Sequence, residues 1–283
     1  MMNVKYVNHC GQEINLSDWP YIIQSENLFD WEWEYNFTDN RDVGARITAF
    51  YRTLLTKNID IAIYAGTRAE FADALNQFYS VIGIDVADMI PGKLIVGDDY
   101  LRCFVAASEK TVWSQGFRVA MYTCKFVFVD SIWTREIPYS FRATDDTDKA
   151  IDWGLDYPYD YPYDYTVGKP PRVVHVASII PGDFSMVVFG PVVNPSVAIG
   201  PNTYVVGNDV NPLILEANEW VTIDSQAKSI VKTHAGGVTE SVLNLRNKGQ
   251  QFFVLIPPGL HVVSSNAYLD LTIFEHRSEP PWK

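Results

Sequence analysis

The sequence predicts an α+β N-terminal domain, a sheet or β-barrel with one covering helix, followed by an all-β sandwich. Three observations carry that prediction. The only convincing amphipathic helix lies among strand-like segments in the first half. The last third reads as short strands separated by Pro/Gly turns. Between the two runs Trp153 to Tyr165, WGLDYPYDYPYDY, in which Pro158 and Pro162 alternate with Tyr157, Tyr159, Tyr161, Tyr163 and Tyr165. Proline cannot donate to a ladder and biases the preceding residue towards extended backbone, so the run is expected to be a semi-rigid connector. The expected organisation is a domain over 1–150, a Tyr/Pro connector over 151–168 and a sandwich over 169–283.

Composition bounds the function. At 283 residues and 47% hydrophobic content the chain can bury real cores. Its net charge of -12 repels phosphate backbones and anionic lipid, which argues against a sequence-specific nucleic-acid surface and against membrane binding. Cys10, Cys103 and Cys124 form no CxxC pair, so a disulfide framework is not expected and all three are read as small apolar side chains. The N-terminal stretch has no apolar signal region, and nowhere do eighteen apolar residues run together.

Taken in order, residues 1–40 are polar and turn-rich, then aromatic. Asp30, Glu32 and Glu34 alternate with Trp31, Trp33 and Tyr35, so a strand there carries carboxylates on one face and rings on the other. A solvated strand face explains this; a glycanase carboxylate pair is the sharper alternative, although the order Asp-Trp-Glu-Trp-Glu does not match the ExDxE signature. Strands are expected over 45–55 and 57–65. Thr67-Arg68-Ala69-Glu70 is a capping box, and Phe71, Ala74, Leu75, Phe78 and Ile82 follow at helical spacing, so a helix is expected from about Arg68 to Ile82, stopped by Gly83 and buried through Phe71, Leu75 and Phe78.

Short strands are expected over 93–96 and 100–107, and a long one over 117–129. In the long strand Tyr122, Cys124, Phe126 and Phe128 share one face, and Val119, Met121, Val127 and Val129 the other, which Lys125 marks as only partly buried. Asp145, Asp146, Asp148 and Asp152 suggest a calcium loop but lack its glycine and closing Glu, so a solvated segment is read instead. Beyond the connector, strands are expected over 172–178, 183–190, 203–206, 213–217, 219–224, 229–234, 241–246, 250–256 and 268–276.

The chemistry of common catalytic motifs is absent. There is no GxSxG, HExxH, phosphate-binding loop or zinc spacing, and His9, His175, His234, His261 and His276 stand singly. No catalytic, cofactor or metal residue is therefore assigned. Aromatic richness suits a protein interface or a sugar-stacking face, for which Trp220 is the candidate.

Several motifs nevertheless resemble a family. Ile59 to Gly66, the capped helix, Asp85, Pro91-Gly92-Lys93-Leu94, Asp99-Tyr100-Leu101-Arg102-Cys103 and Asp130-Ser131-Ile132-Trp133 resemble the N-terminal domain of siphophage distal tail (Dit-type) proteins. Tyr157 to Gly168 resembles the family's aromatic junction. Asn244-Leu245, Phe253 to Leu260 and Phe274-Glu275-His276-Arg277 resemble its C-terminal sandwich. The resemblance starts near residue 45; the first 40 residues match poorly. It implies a non-enzymatic structural protein of the virion tail tip, assembled in the bacterial cytoplasm. It also implies a homohexameric ring between tail tube and tail-tip hub, with an outward galectin-like or carbohydrate-binding-module-like sandwich that holds receptor-binding proteins or touches a host glycan. No cofactor is implied. The alternative from another class is a carbohydrate-binding adhesion protein that recognises cell-wall glycans.

Overall fold

The computed structural model describes residues 3–24, 27–40, 44–113, 118–143, 172–249 and 251–281. The connector expected over 151–168 and the aspartate-rich segment before it lie outside the described residues. The described residues are mostly β with one α-helix, and the chain divides into two units, Met1–Arg135 with Arg277–Lys283, and Glu136–His276.

The first unit is a curled sheet. Val119–Phe128 sits between Leu55–Tyr64 and Asp99–Trp113; Asp99–Trp113 pairs with Gly92–Val96, and that strand with Val4–Val7. At the other end Tyr21–Ile23 pairs with Leu55–Tyr64. The sheet curls until the Leu16 N–H donates to the Val4 carbonyl at 2.8 Å and the Ile23 N–H to that of Leu16 at 2.7 Å. Its inner face follows the expected alternation: Tyr122, Cys124, Phe126 and Phe128 are buried, whereas Met121 and Val127 are half-buried and Val129 is exposed. Burial raises the pKa of the Cys103 thiol, and that of Cys124 to about 12, as expected of small core side chains.

The helix covers this core. It begins as expected, with Thr67 accepting from the Glu70 N–H and Glu70 accepting from that of Thr67. Gly83 does not stop it. The helix runs Arg68–Asp88 and closes on Met89 in the left-handed region. Its buried stripe is Phe71, Ala74, Phe78, Val81 and Ile82, while Leu75 is only half-buried because the helix is rotated towards Ala74 and Val81. The extra turn is anchored by Asp85, whose buried carboxyl accepts from the Tyr6 hydroxyl and the His9 N–H (2.9 Å) and lies 2.6 Å from His9 Nδ1. Burial and this bond to Asp85 raise the Tyr6 phenol pKa. A Cβ on Gly92 would stand 2.3 Å from Asp85 Oδ2 and 2.6 Å from the Tyr6 hydroxyl, so only glycine lets that strand pass.

The second unit is two facing sheets. In one, Asp183–Phe189 lies between Trp220–Asp224 and Leu269–Arg277, and the ladder extends through Ser229–Thr233 to Thr239–Ser241. In the other, Gly259–Ser265 lies between Val173–Val176 and Ser196–Ile199, and the latter pairs with Asn202–Val205. Phe184, Met186, Ile223 and Leu271 from the first sheet share a core with Val174, Ile199, Tyr204 and Val263 from the second. Two expected strands are absent. Residues 241–246 hold a 3-10 turn at Leu243–Leu245, and residues 251–256 form irregular chain apart from one bridge between Gly182 and Ile256, because Val242, Phe252 and Ile256 reach the core from loops. Strands Ser196–Ile199 and Gly259–Ser265 escaped the sequence reading.

Candidate functional site

The feature of the first unit that its own core does not explain is a ribbon. Among the described residues Glu34–Asn40 and Gly44–Tyr51 pair only with each other, forming a two-stranded sheet separate from the rest. Period-2 alternation in the sequence folds it so that Trp33, Tyr35 and Phe37 lie on one face. Pairing brings Phe50 opposite Tyr35 and Ile47 opposite Phe37 onto that same face. The rings touch: Tyr35 and Phe50 have centroids 6.1 Å apart, Tyr35 and Phe37 6.3 Å, and Trp33 and Phe50 6.5 Å. Yet Phe37 and Phe50 are each 59% exposed, and Trp31, Tyr35, Ile47, Tyr51 and Leu54 are exposed as well. Isolated two-stranded ribbons are marginal in water, and a contiguous exposed apolar face of this kind marks an interaction surface.

The ribbon's root is firmly tied. The Arg52 guanidinium lies 4.2 Å from the centre of the Trp33 ring and donates to the Ser131 carbonyl and the Ser278 hydroxyl. Lys57 Nζ donates to the carbonyls of Asn27 (2.7 Å), Leu28 (3.1 Å) and Asp30. Burial lowers the pKa of both cations, and the Asp30 carboxylate partly counters this for Lys57. The Thr53 hydroxyl donates to Glu34 Oε1 at 2.6 Å, and a hydrogen bond to Glu34 raises the Tyr51 phenol pKa. Asp30, Glu32 and Glu34 therefore line one cleft of about 310 Å³ with Trp31, Arg52 and Lys57. Regular pairing starts only at Glu34, so the expected strand over 30–35 is mostly irregular chain, and the alternation continues instead into Tyr35 and Phe37. The two strand patterns were legible; their pairing with each other, and with no third strand among the described residues, was not.

The remaining candidates fall elsewhere. His9 bridges Asp85 and Asp88, His234 pairs with Glu219, His276 with Asp183, and His261 with the Pro257 carbonyl. Each tethers an element to its neighbour. The backbone N–H of Glu216, then Lys232 and His234, hold the Glu219 carboxyl down at about 2. Cys10 is exposed, with Sγ 3.3 Å from His9 Nε2, and so is not the core side chain expected. Trp220 lies beside Phe189, and Phe189 beside Tyr268, at centroid distances of 6.4 and 5.4 Å. No helix is long and apolar enough to cross a membrane, and no metal-ligand cluster occurs among the described residues.

No protein-family profile and no curated protein sequence matches the chain. Solved structures do match it in fold. The Dit protein (gp 19.1) of phage SPP1, described as a paradigm of the hub adsorption apparatus in phages infecting Gram-positive hosts, superposes with a TM-score of 0.62 at 10% identity, covering 98% of this chain and 99% of that one. A chain of the phage P2 baseplate in its calcium-activated conformation gives 0.61 at 10% identity over 98% and 99%. The strontium-activated baseplate gives the same values. The chain thus has the Dit fold.

Proposed function

We propose that the chain is a Dit-type distal tail protein: a non-enzymatic structural component of a phage tail tip, built into the virion after assembly in the host cytoplasm. The observation that carries this reading is the end-to-end coverage in both directions, which leaves no domain of this chain or of the SPP1 protein unaccounted for. In this reading the first unit is an α+β ring-forming domain and the second a galectin-like sandwich, with residues 151–168 as the link. The partners are further copies in a six-membered ring, the tail tube, the tail-tip hub and receptor-binding proteins.

The exposed ribbon supports self-assembly. A ring uses a heterologous contact, in which each copy offers one surface and receives another. The ribbon is the surface offered; the half-buried outer face of Val119–Phe128, with Met121 and Val127, is the surface that receives it. Such a contact needs upward of about 1,200 Å² in total to be stable. Sedimentation velocity of the full chain tests this. Six protomers are expected for the wild type and one for a Phe37→Ser/Phe50→Ser variant; a wild type that stays monomeric at high concentration, alone and with the hub, removes the ring.

A further inference from the structure

A second concave site lies wholly within the other unit. Loops at Asn194, Gly207 to Asn211 and Asn244 to Gly249 enclose a cleft of about 620 Å³, within the range of small-ligand sites. Its floor is held by the Gly207 N–H donating to the Leu245 carbonyl at 2.9 Å and by a bridge between Val206 and Arg246. Gly207 has φ +93, and a Cβ there would stand 2.2 Å from Asn194 Oδ1, so glycine is what allows the Asn194 side chain to lie over the floor.

The lining is rich in donors. Asn194 Oδ1 accepts from the Leu213 N–H at 3.0 Å. Asn208 Oδ1 accepts from those of Val210 and Asn211 at 2.9 and 2.8 Å, and Asn247 Oδ1 from that of Gly249 at 3.0 Å. A backbone N–H can donate only to the oxygen of an amide, so these bonds fix which way each side chain faces. Three amide NH₂ groups are left as the part of these residues available to a ligand. Arg246 and Lys248 add two cations against the single carboxylate of Asp209. Arg246 donates once to the Leu243 carbonyl at 2.9 Å, which fixes its guanidinium at the wall. On a protein of net charge -12, a donor-rich cleft with excess positive charge selects for acceptor-rich, negatively charged ligands.

We infer that this cleft binds an anionic hydroxylated polymer, a saccharide or polyol chain bearing carboxylate or phosphate groups, through the amides of Asn194, Asn208 and Asn247 and the charges of Arg246 and Lys248. The inference is independent of the ring, because every group it uses belongs to one unit of one chain. Trp220, the sequence candidate for sugar stacking, does not line this cleft.

The test is isothermal titration of the full chain with oligogalacturonate, with glycerol-phosphate oligomer, with neutral maltohexaose and with inorganic phosphate. At least one acidic polymer should bind tenfold or more tightly than maltohexaose, and added salt should weaken it. The two acidic probes distinguish carboxylate from phosphate as the recognised group. Lys248→Glu, at an exposed position, and the isosteric Asn247→Asp, which keeps the bond from the Gly249 N–H but loses the NH₂, should each weaken binding about tenfold, whereas Trp220→Ala should leave it unchanged. The proposal is overturned if neither acidic polymer binds at millimolar concentration, if maltohexaose binds equally well, if both cleft variants bind as the wild type does, or if inorganic phosphate alone binds as tightly as the polymers.

Discussion

The Glu34–Tyr51 ribbon and the Arg68–Asp88 helix, separated by one strand, are aromatic-rich stretches of one unit with opposite fates. Phe78, on the helix, is 1% exposed and meets Tyr21 at 5.9 Å and Tyr122 at 6.1 Å between ring centroids. Phe50, on the ribbon, also meets rings, but only its own ribbon's neighbours, and it stays open to water. The difference teaches that ring-to-ring contact does not measure burial. What separates the segments is a third element: the helix has a sheet beneath it, and the ribbon pairs with no further strand among the described residues.

Substitutions can break that contrast. The largest effect belongs to the helix: Phe78→Ala should lower unfolding free energy by about 3 to 5 kcal/mol through lost burial and the cavity left behind. Urea denaturation measures this, and a loss below about 1 kcal/mol would place the helix off the core. Next, Thr67→Ala removes the cap that starts the helix and should cost about 1 kcal/mol by the same assay. Phe37→Ser with Phe50→Ser should change the stability of the separated protomer by under about 0.5 kcal/mol, as expected of exposed positions, while abolishing association. A large loss in the protomer would show that the ribbon is already packed, which removes the contrast altogether.

The smallest effect lies outside both segments and should leave the contrast intact. Glu219 sits at about 2 when folded, against an ordinary value of 4.5. A depressed carboxyl contributes stability that is complete above the unfolded value and is lost as pH falls through the folded one. The urea midpoints of wild type and Glu219→Gln should therefore differ at pH 7 and converge between about pH 4.5 and pH 2. Equal differences at pH 7 and pH 2 would mean the carboxyl is not held down by its partners.

How much of this was readable follows from where each signal resides. The helix start was plain because a capping box is local: Thr67 and Glu70 sit three apart whatever the rest of the chain does. Its end was not, because Gly83 costs only about 1 kcal/mol in a helix and the docking of Asp85 onto Tyr6 and His9 outweighs it. Val4–Val7 and its short neighbours have too few residues for a period to register. Val242 and Phe252 mimicked strands because loops that feed a core alternate too. The aromatic ribbon was visible as alternation, but a pattern states that a face is apolar and not what covers it. The asparagine cleft left no trace, since residues near 194, 208 and 247 are brought together only by the sheet.

The carboxyl of Asp85 has a consequence for the order in which the chain is made. Tyr6 leaves the ribosome 79 residues before the group its hydroxyl must meet, and Gly92 still later. The first strand can therefore pair early only with Glu13–Asn15, while its other edge and the Tyr6 hydroxyl wait for Gly92–Val96 and Asp85, and closing so distant a contact is intrinsically slow. Gly92 also acts as a proofreader when that strand arrives. A slip of the Gly92–Val96 strand by one residue would bring Pro91 or Lys93 to the spot beside Asp85 where even a single carbon does not fit, so a misaligned edge for the first strand is rejected sterically rather than tolerated.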